Sequence, residues 1–262
     1  MLFGHYDRYQ YAKSPLVEVI CQLRFPTILS IGSQEPAAFQ EAIRREFPRY
    51  AVRQEQPAPR VVGAGGPAPK LEAQPPVTNY NFVSADGLWK LNLTKDFIAL
   101  STLGYHCWED FAQRLDKPLA SFIQLYQPAF FERIGMRYVN AVSRKALGLE
   151  DVPWVSLIQP AFLGVLAELD VDEQAASRSS VDAHLALPEG QRLKLHAGPG
   201  LLGGGKKDPE IKFILDGDFS VAGSLSADRV PAVLEGLHGH AVRLFRGAVT
   251  SDLHTAKGPE PL

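Results

Sequence analysis

Two arginines flank a glycine at positions 133, 135 and 137. On a strand, that spacing puts both guanidinium groups on one face with no side chain between them. Tyr138 and Asn140 then share the opposite face with Met136. Guanidinium forks match the geometry of carboxylate and phosphate, so the pattern suits a small anion. Gly135 allows close approach by a ligand or a crossing backbone. If this strand runs beside residues 16–25, Arg24 and Glu18 join the cluster. The expected ligand-binding set is therefore Arg24, Arg133, Arg137, Tyr138 and Asn140. The competing reading is a salt-bridge network with Glu18 and Glu132, the commoner fate of arginines on strands.

Asp216-Gly217-Asp218 sets two carboxylates on one strand face, a spacing that could serve acid and base chemistry. These two residues are the alternative acid/base pair, against the commoner reading of a strand-ending turn capped by aspartates. The triplet lacks the remaining oxygens of a calcium loop. His238 and His240 form the only close histidine pair, and on a helix they point about 200° apart, unlike an i, i+4 metal pair. Cys107 beside His106 reads as a small buried thiol. The run from Gly198 to Lys207 satisfies two phosphate-loop patterns on paper, but Lys207, Asp208 and Pro209 lead into a strand rather than a helix. It is expected to be a hairpin connection. No metal and no cofactor is implied.

These residues need elements to position them. Residues 16–25 alternate as a half-buried strand, and Phe39, Ile43 and Phe47 recur as a helical stripe closed by Pro48. Residues 79–84 and 88–93 read as a hairpin around Ala85-Asp86-Gly87, followed by strands at 97–102 and 130–142. Between those last two strands runs a helical stripe from Trp108 to Tyr126, which Pro118 is expected to kink or restart. The second half repeats the plan, with strands at 174–187, 191–197 and 210–221. A helix then starts at a Ser226 cap and carries Val230, Val233, Leu234, Leu237, Ala241, Leu244 and Phe245. Six prolines and three glycines between 55 and 77 mark a flexible surface loop. The expected fold is α+β: a mostly antiparallel sheet with long helices packed on one face, in two related halves. The halves are 1–150 and 151–254, followed by a flexible tail at 255–262.

Residues 11–15, the run Val17-Glu18-Val19-Ile20-Cys21-Gln22-Leu23-Arg24-Phe25-Pro26, Phe39-Gln40 with Phe47-Pro48, and Arg133-Ile134-Gly135-Met136-Arg137-Tyr138-Val139-Asn140 resemble a sporadically distributed prokaryotic family of chains about this long. The resemblance covers most of the chain, is specific around 15–26 and 133–140, and is loose after 150. It implies an accessory role, such as defence, toxin control or a specialised biosynthetic cluster, and brings no activity, cofactor or catalytic residue with it. The stretch 55–77 departs from the family in its proline and glycine content.

The 262 residues carry 27 basic and 29 acidic groups, a net charge of −2 without a basic run, which disfavours nucleic acid. The apolar share of 45% and charged share of 21% belong to a folded globular chain. Two cysteines cannot make a disulfide framework, and the charged first eight residues lack the apolar run of a secretory signal. A cytoplasmic protein with no membrane span is expected. No nucleophile, base and oxyanion pattern coincides with its required structural context. The expected function is a non-catalytic binding or assembly protein, acting with a protein partner or a small anionic ligand. The alternative is an enzyme on a small polar substrate with an arginine-lined pocket.

Overall fold

A computed structural model describes residues 3–62, 70–168, 170–205 and 208–262. The described strands are β1 (Tyr9–Tyr11), β2 (Leu16–Arg24), β3 (Arg49–Glu55), β4 (Arg60–Val62), β5 (Lys70–Glu72), β6 (Val77–Val83), β7 (Trp89–Leu93), β8 (Phe97–Thr102), β9 (Phe131–Val142), β10 (Val181–Ala186), β11 (Gln191–Leu201), β12 (Ile211–Leu225) and β13 (Pro259–Pro261). The principal helices are α1 (Ala37–Ile43), α2 (Trp108–Tyr126), α3 (Val230–Ala248) and α4 (Ser251–Ala256).

Nine strands form one antiparallel sheet in the order β10-β11-β12-β9-β2-β8-β7-β6-β3. The fold is α+β, with long helices over one face. Residues on both sides of position 150 belong to this sheet, because β12 pairs with β9 along the middle of it. Alternation decides which face is covered. Val19, Cys21 and Leu23 of β2, Ile134, Met136 and Tyr138 of β9, and Phe213, Leu215 and Phe219 of β12 are all buried on the helix side. Fully burying side chains of this size stabilises the fold by about 1.5 to 3 kcal/mol each relative to exposure. The opposite face carries Glu18, Arg24, Arg133, Arg137, Asp216 and Asp218.

The long helices follow their stripes. α2 continues through Pro118 without the restart that the sequence allowed, and buries Phe111, Leu115, Pro118 and Phe122 together. The proline sits on the apolar stripe itself and is buried with it. α3 buries Leu234, Leu237, His238, Ala241, Leu244 and Phe245. Ser226 makes no side-chain cap; a 3₁₀ turn, Ala227–Arg229, leads into the helix instead. Gly217 of β12 lies beneath α3, where a β-carbon would stand 2.8 Å from Phe219 Cε2 and 3.1 Å from Leu244 Cδ2.

Three further expectations from the sequence need correction. Residues 174–180 hold a turn, a bend and chain without regular structure, and only Val181–Ala186 of the expected 174–187 strand pairs. Residues 255–262 are not a free tail: Pro259–Pro261 pairs antiparallel with Tyr9–Tyr11, so the two ends of the chain hold each other. The segment 55–77 is not a plain loop. Glu55 pairs with Val77 and Arg60 with Glu72, and both ladders keep one register, so β3–β4 and β5–β6 form one long hairpin. Pro57, Pro59, Pro75 and Pro76 interrupt it because proline has no N–H to give the ladder. The 63–69 part of that segment, and Lys206 and Lys207 of the glycine-rich run, lie outside the described residues. Gly198–Leu201 of that run continue β11. Among the described residues, no helix is long and apolar enough to cross a membrane.

Candidate functional site

The two faces of β9 have different fates. On the open face Arg133 Nη2 donates to Asp218 Oδ1 at 2.6 Å, and Arg137 Nε donates to Asp216 Oδ1 at 2.8 Å. Asp218 stands directly opposite Arg137, and Asp216 opposite Val139, so both arginines lean the same way along the strand. The arginines and the aspartates, read separately in the sequence, belong to one ion-pair network. Asp216 and Asp218 lie mid-strand rather than in a turn, since facing guanidinium groups compensate carboxylates that β-structure otherwise disfavours. The network forms with these aspartates rather than with Glu18 and Glu132; Glu18 acts on Arg137 only through space. Hydrogen bonding to Asp216 pushes the Arg137 guanidinium up from its ordinary range, ahead of the opposing effect of burial. Arg24 stands opposite Arg133 in the β2–β9 register and is exposed. The group that approaches Gly135 closely is the Arg133 guanidinium itself.

Tyr138 and Asn140, on the helix side of β9, line a cavity of about 380 Å³. Its walls come from four places. The chain around β1 and the start of β2 supplies Arg8, Tyr11 and Leu16; the approach to α2 and its first residue supply Tyr105 and Trp108; α3 supplies His238, Ala241, Phe245 and Arg246; and β13 with the residue after it supplies Glu260 and Leu262. The paired chain ends β1 and β13 close one side of it. Neighbouring contacts hold these ends in place: Arg8 to Glu109 at 2.8 Å, the Tyr11 hydroxyl to His254 Nδ1 at 2.9 Å, and Gln10 to His106 at 2.9 Å.

α2 and α3 meet at this cavity. The Trp108 indole stacks on the His238 ring with centroids 4.8 Å apart and planes 8° from parallel, and Trp108 Nε1 donates to Glu235 at 2.6 Å. The Tyr138 hydroxyl and His238 Nδ1 share a hydrogen bond of 3.0 Å. Tyr105 meets Tyr138 edge to face at 6.0 Å and interacts with its hydroxyl. His238 is 6% exposed, and its Nε2 has no hydrogen-bond partner among the described residues. Whichever ring nitrogen carries the proton, Nε2 keeps one unmet hydrogen-bonding position. Burial, then the Arg8 charge, lowers the His238 pKa to about 4, so the ring is neutral near pH 7. Burial also pushes the Tyr11 phenol up to about 12 and the Tyr138 phenol well above its ordinary range.

The sequence-read residues therefore divide. Arg24, Arg133, Arg137, Asp216 and Asp218 sit on the open face; Tyr138 and Asn140 face the cavity; and Asn140 Nδ2 donates to the Leu215 carbonyl at 3.2 Å. Sequence reasoning missed Tyr105, Trp108, His238 and Arg246. A signal for His238 was present: it falls between Leu234 and Ala241 on the apolar stripe of α3, where a polar side chain must be buried. His240, two residues on, is set against Phe3 instead. Among the described residues no group of three His, Cys, Asp or Glu side chains is placed to hold a metal ion. The segments around 15–26 and 133–140 are hydrogen-bonded neighbours as β2 and β9. No family model and no curated protein matches this chain.

Proposed function

We propose that this chain is a non-catalytic binding protein of the cytoplasm, in an accessory role of the kind the family resemblance implies. Its cavity takes one small organic ligand with a flat apolar body, a head group that exchanges one hydrogen bond, and an anionic substituent. The reading rests above all on His238, whose buried Nε2 has no partner in the wall of a 380 Å³ cavity. A buried polar atom without a partner costs about 1 to 3 kcal/mol, and a ligand that meets it recovers that cost. Cavities of this size, mostly apolar with a few polar anchors, suit small molecules. The anionic substituent is inferred from Arg246. It lines the cavity, lies 5.3 Å over the Tyr6 ring, and has no carboxylate partner among the described residues. Trp108 and Tyr105 supply flat walls.

The test is ligand-observed NMR of the purified protein against matched aromatic carboxylic acids and their amides, with Ala241→Phe to fill the cavity and His238→Phe to remove the unpartnered ring nitrogen. Acids that bind the wild type should lose at least about tenfold in affinity in both variants. Absence of binders, or binders indifferent to both changes, overturns the reading.

A further inference from the structure

Strand β3 is the last strand of the sheet and is hydrogen-bonded, among the described residues, to β6 alone. All seven of its residues are exposed. Its outer edge holds no proline, glycine or lysine and its pairing with β6 runs without a bulge, so the charges of Arg49, Arg53 and Glu55 are what decides how it can pair. Tyr50 and Val52 are 40% and 44% exposed on the helix side, where an internal strand would be covered.

The sequence of this edge is self-complementary over all seven residues in one register only. Two identical strands pair antiparallel about a two-fold axis that passes through a residue opposite itself. With the axis at Val52, Arg49 faces Glu55 at both ends, Tyr50 faces Gln54, Ala51 faces Arg53, and Val52 faces Val52. No like charges are opposed. With the axis at Ala51, Arg49 faces Arg53 twice; at Arg53, that arginine faces itself. Moving the axis to Tyr50 or Gln54 shortens the pairing and brings Pro48 or Pro57 into the ladder, where neither can donate.

We propose that β3 pairs with β3 of a second copy of this chain about an axis at Val52, joining two sheets into one. The pairing satisfies the free backbone groups of both edges, covers Tyr50 and Val52, and places two Arg49–Glu55 ion pairs at its ends. Glu55 already accepts a 2.7 Å hydrogen bond from Asn79, which steadies the carboxylate. One strand per protomer is a small interface, so the dissociation constant falls on the order of micromolar.

The experiment is sedimentation velocity of the full chain from about 1 to 200 μM, a range chosen to bracket that constant. A concentration-dependent species of twice the 28.8 kDa chain mass is expected. Arg49→Glu should weaken association about tenfold or more, because it opposes four acidic groups in two pairs. The double variant Arg49→Glu with Glu55→Arg should restore it, while Val52→Lys should abolish it. Far-ultraviolet circular dichroism and melting curves establish that each variant is folded. A monomer across the whole range overturns the proposal. So does a dimer that Val52→Lys leaves intact, or one that the charge swap fails to restore in a folded protein.

Discussion

The guanidinium of Arg133 lies across Gly135, close enough that a β-carbon on Gly135 would stand 2.8 Å from Arg133 Cζ. The glycine leaves a channel along which Arg133 reaches Asp218, four residues away in register from its direct opposite, Ala222. Gly135→Ala should therefore cost about 1 kcal/mol by displacing a half-buried ion pair. In an Arg133→Ala background the same change should cost nothing or stabilise slightly, since alanine suits a strand better than glycine. Urea denaturation of the four proteins gives the coupling, and equal costs in both backgrounds would show that the close approach is without consequence.

His238 makes stability depend on pH. Its folded pKa of about 4 lies below the unfolded value near 6.5, so the unfolded chain binds more protons between those values. The stabilisation is complete above about pH 6.5 and declines as pH falls toward 4, by up to about 3 kcal/mol. Chemical denaturation at pH 7 and pH 4.5 should show this slope in the wild type and a shallower one in His238→Phe. Identical slopes would mean that the ring is not held neutral by burial.

Lys257 is 3% exposed, and burial, then the nearby Lys13 charge, brings its pKa down to about 8. An ammonium that is costly to bury is better replaced by an unbranched apolar side chain. Lys257→Met should raise stability at pH 7 by about 1 to 3 kcal/mol, with the gain shrinking as pH rises from 8 toward 10.5, where the folded-state amine is already neutral. Melting temperature against pH checks both the sign and the window.

Glu55 and Val77 are paired in the β3–β6 ladder, so residues 56–76 can be replaced by an Asn-Gly turn without changing the register of the sheet. The shortened protein should keep its melting temperature within about 4 °C. A loss of cooperative unfolding would show that the hairpin arm supports the fold.

Arg137 is tied to Asp216, whose side chain is 17% exposed, so Arg137→Ala should cost about 1 to 2 kcal/mol through the carboxylate left behind. Ligand binding in the cavity should be unchanged, because Arg137 points to the other face of the sheet. Calorimetric stability together with the NMR binding assay separates the two effects.

Much of the fold was legible in the sequence because period and turn chemistry are local. Residues 16–25 and 130–142 alternated as strands and folded as strands, the Asp86-Gly87 turn joined β6 to β7, and two helical stripes became α2 and α3. Alternation also separated Arg133 and Arg137 from Tyr138 and Asn140. What the order of residues could not fix was the partner across each ladder. Asp216 and Asp218 lie about eighty positions from the arginines they bind, and only the pairing of β12 with β9 brings them together. The prolines of 55–77 concealed a hairpin, because a residue that cannot join a ladder does not prevent the register from continuing beyond it. The cavity depended on distance more than any other feature. Tyr11, Trp108, Tyr138, His238 and Leu262 come from both ends and the middle of the chain, and each alone reads as ordinary core or surface. Side-chain periodicity is set by the backbone of one element, whereas a cavity is set by how several elements fail to close upon one another, and that is decided only when they pack.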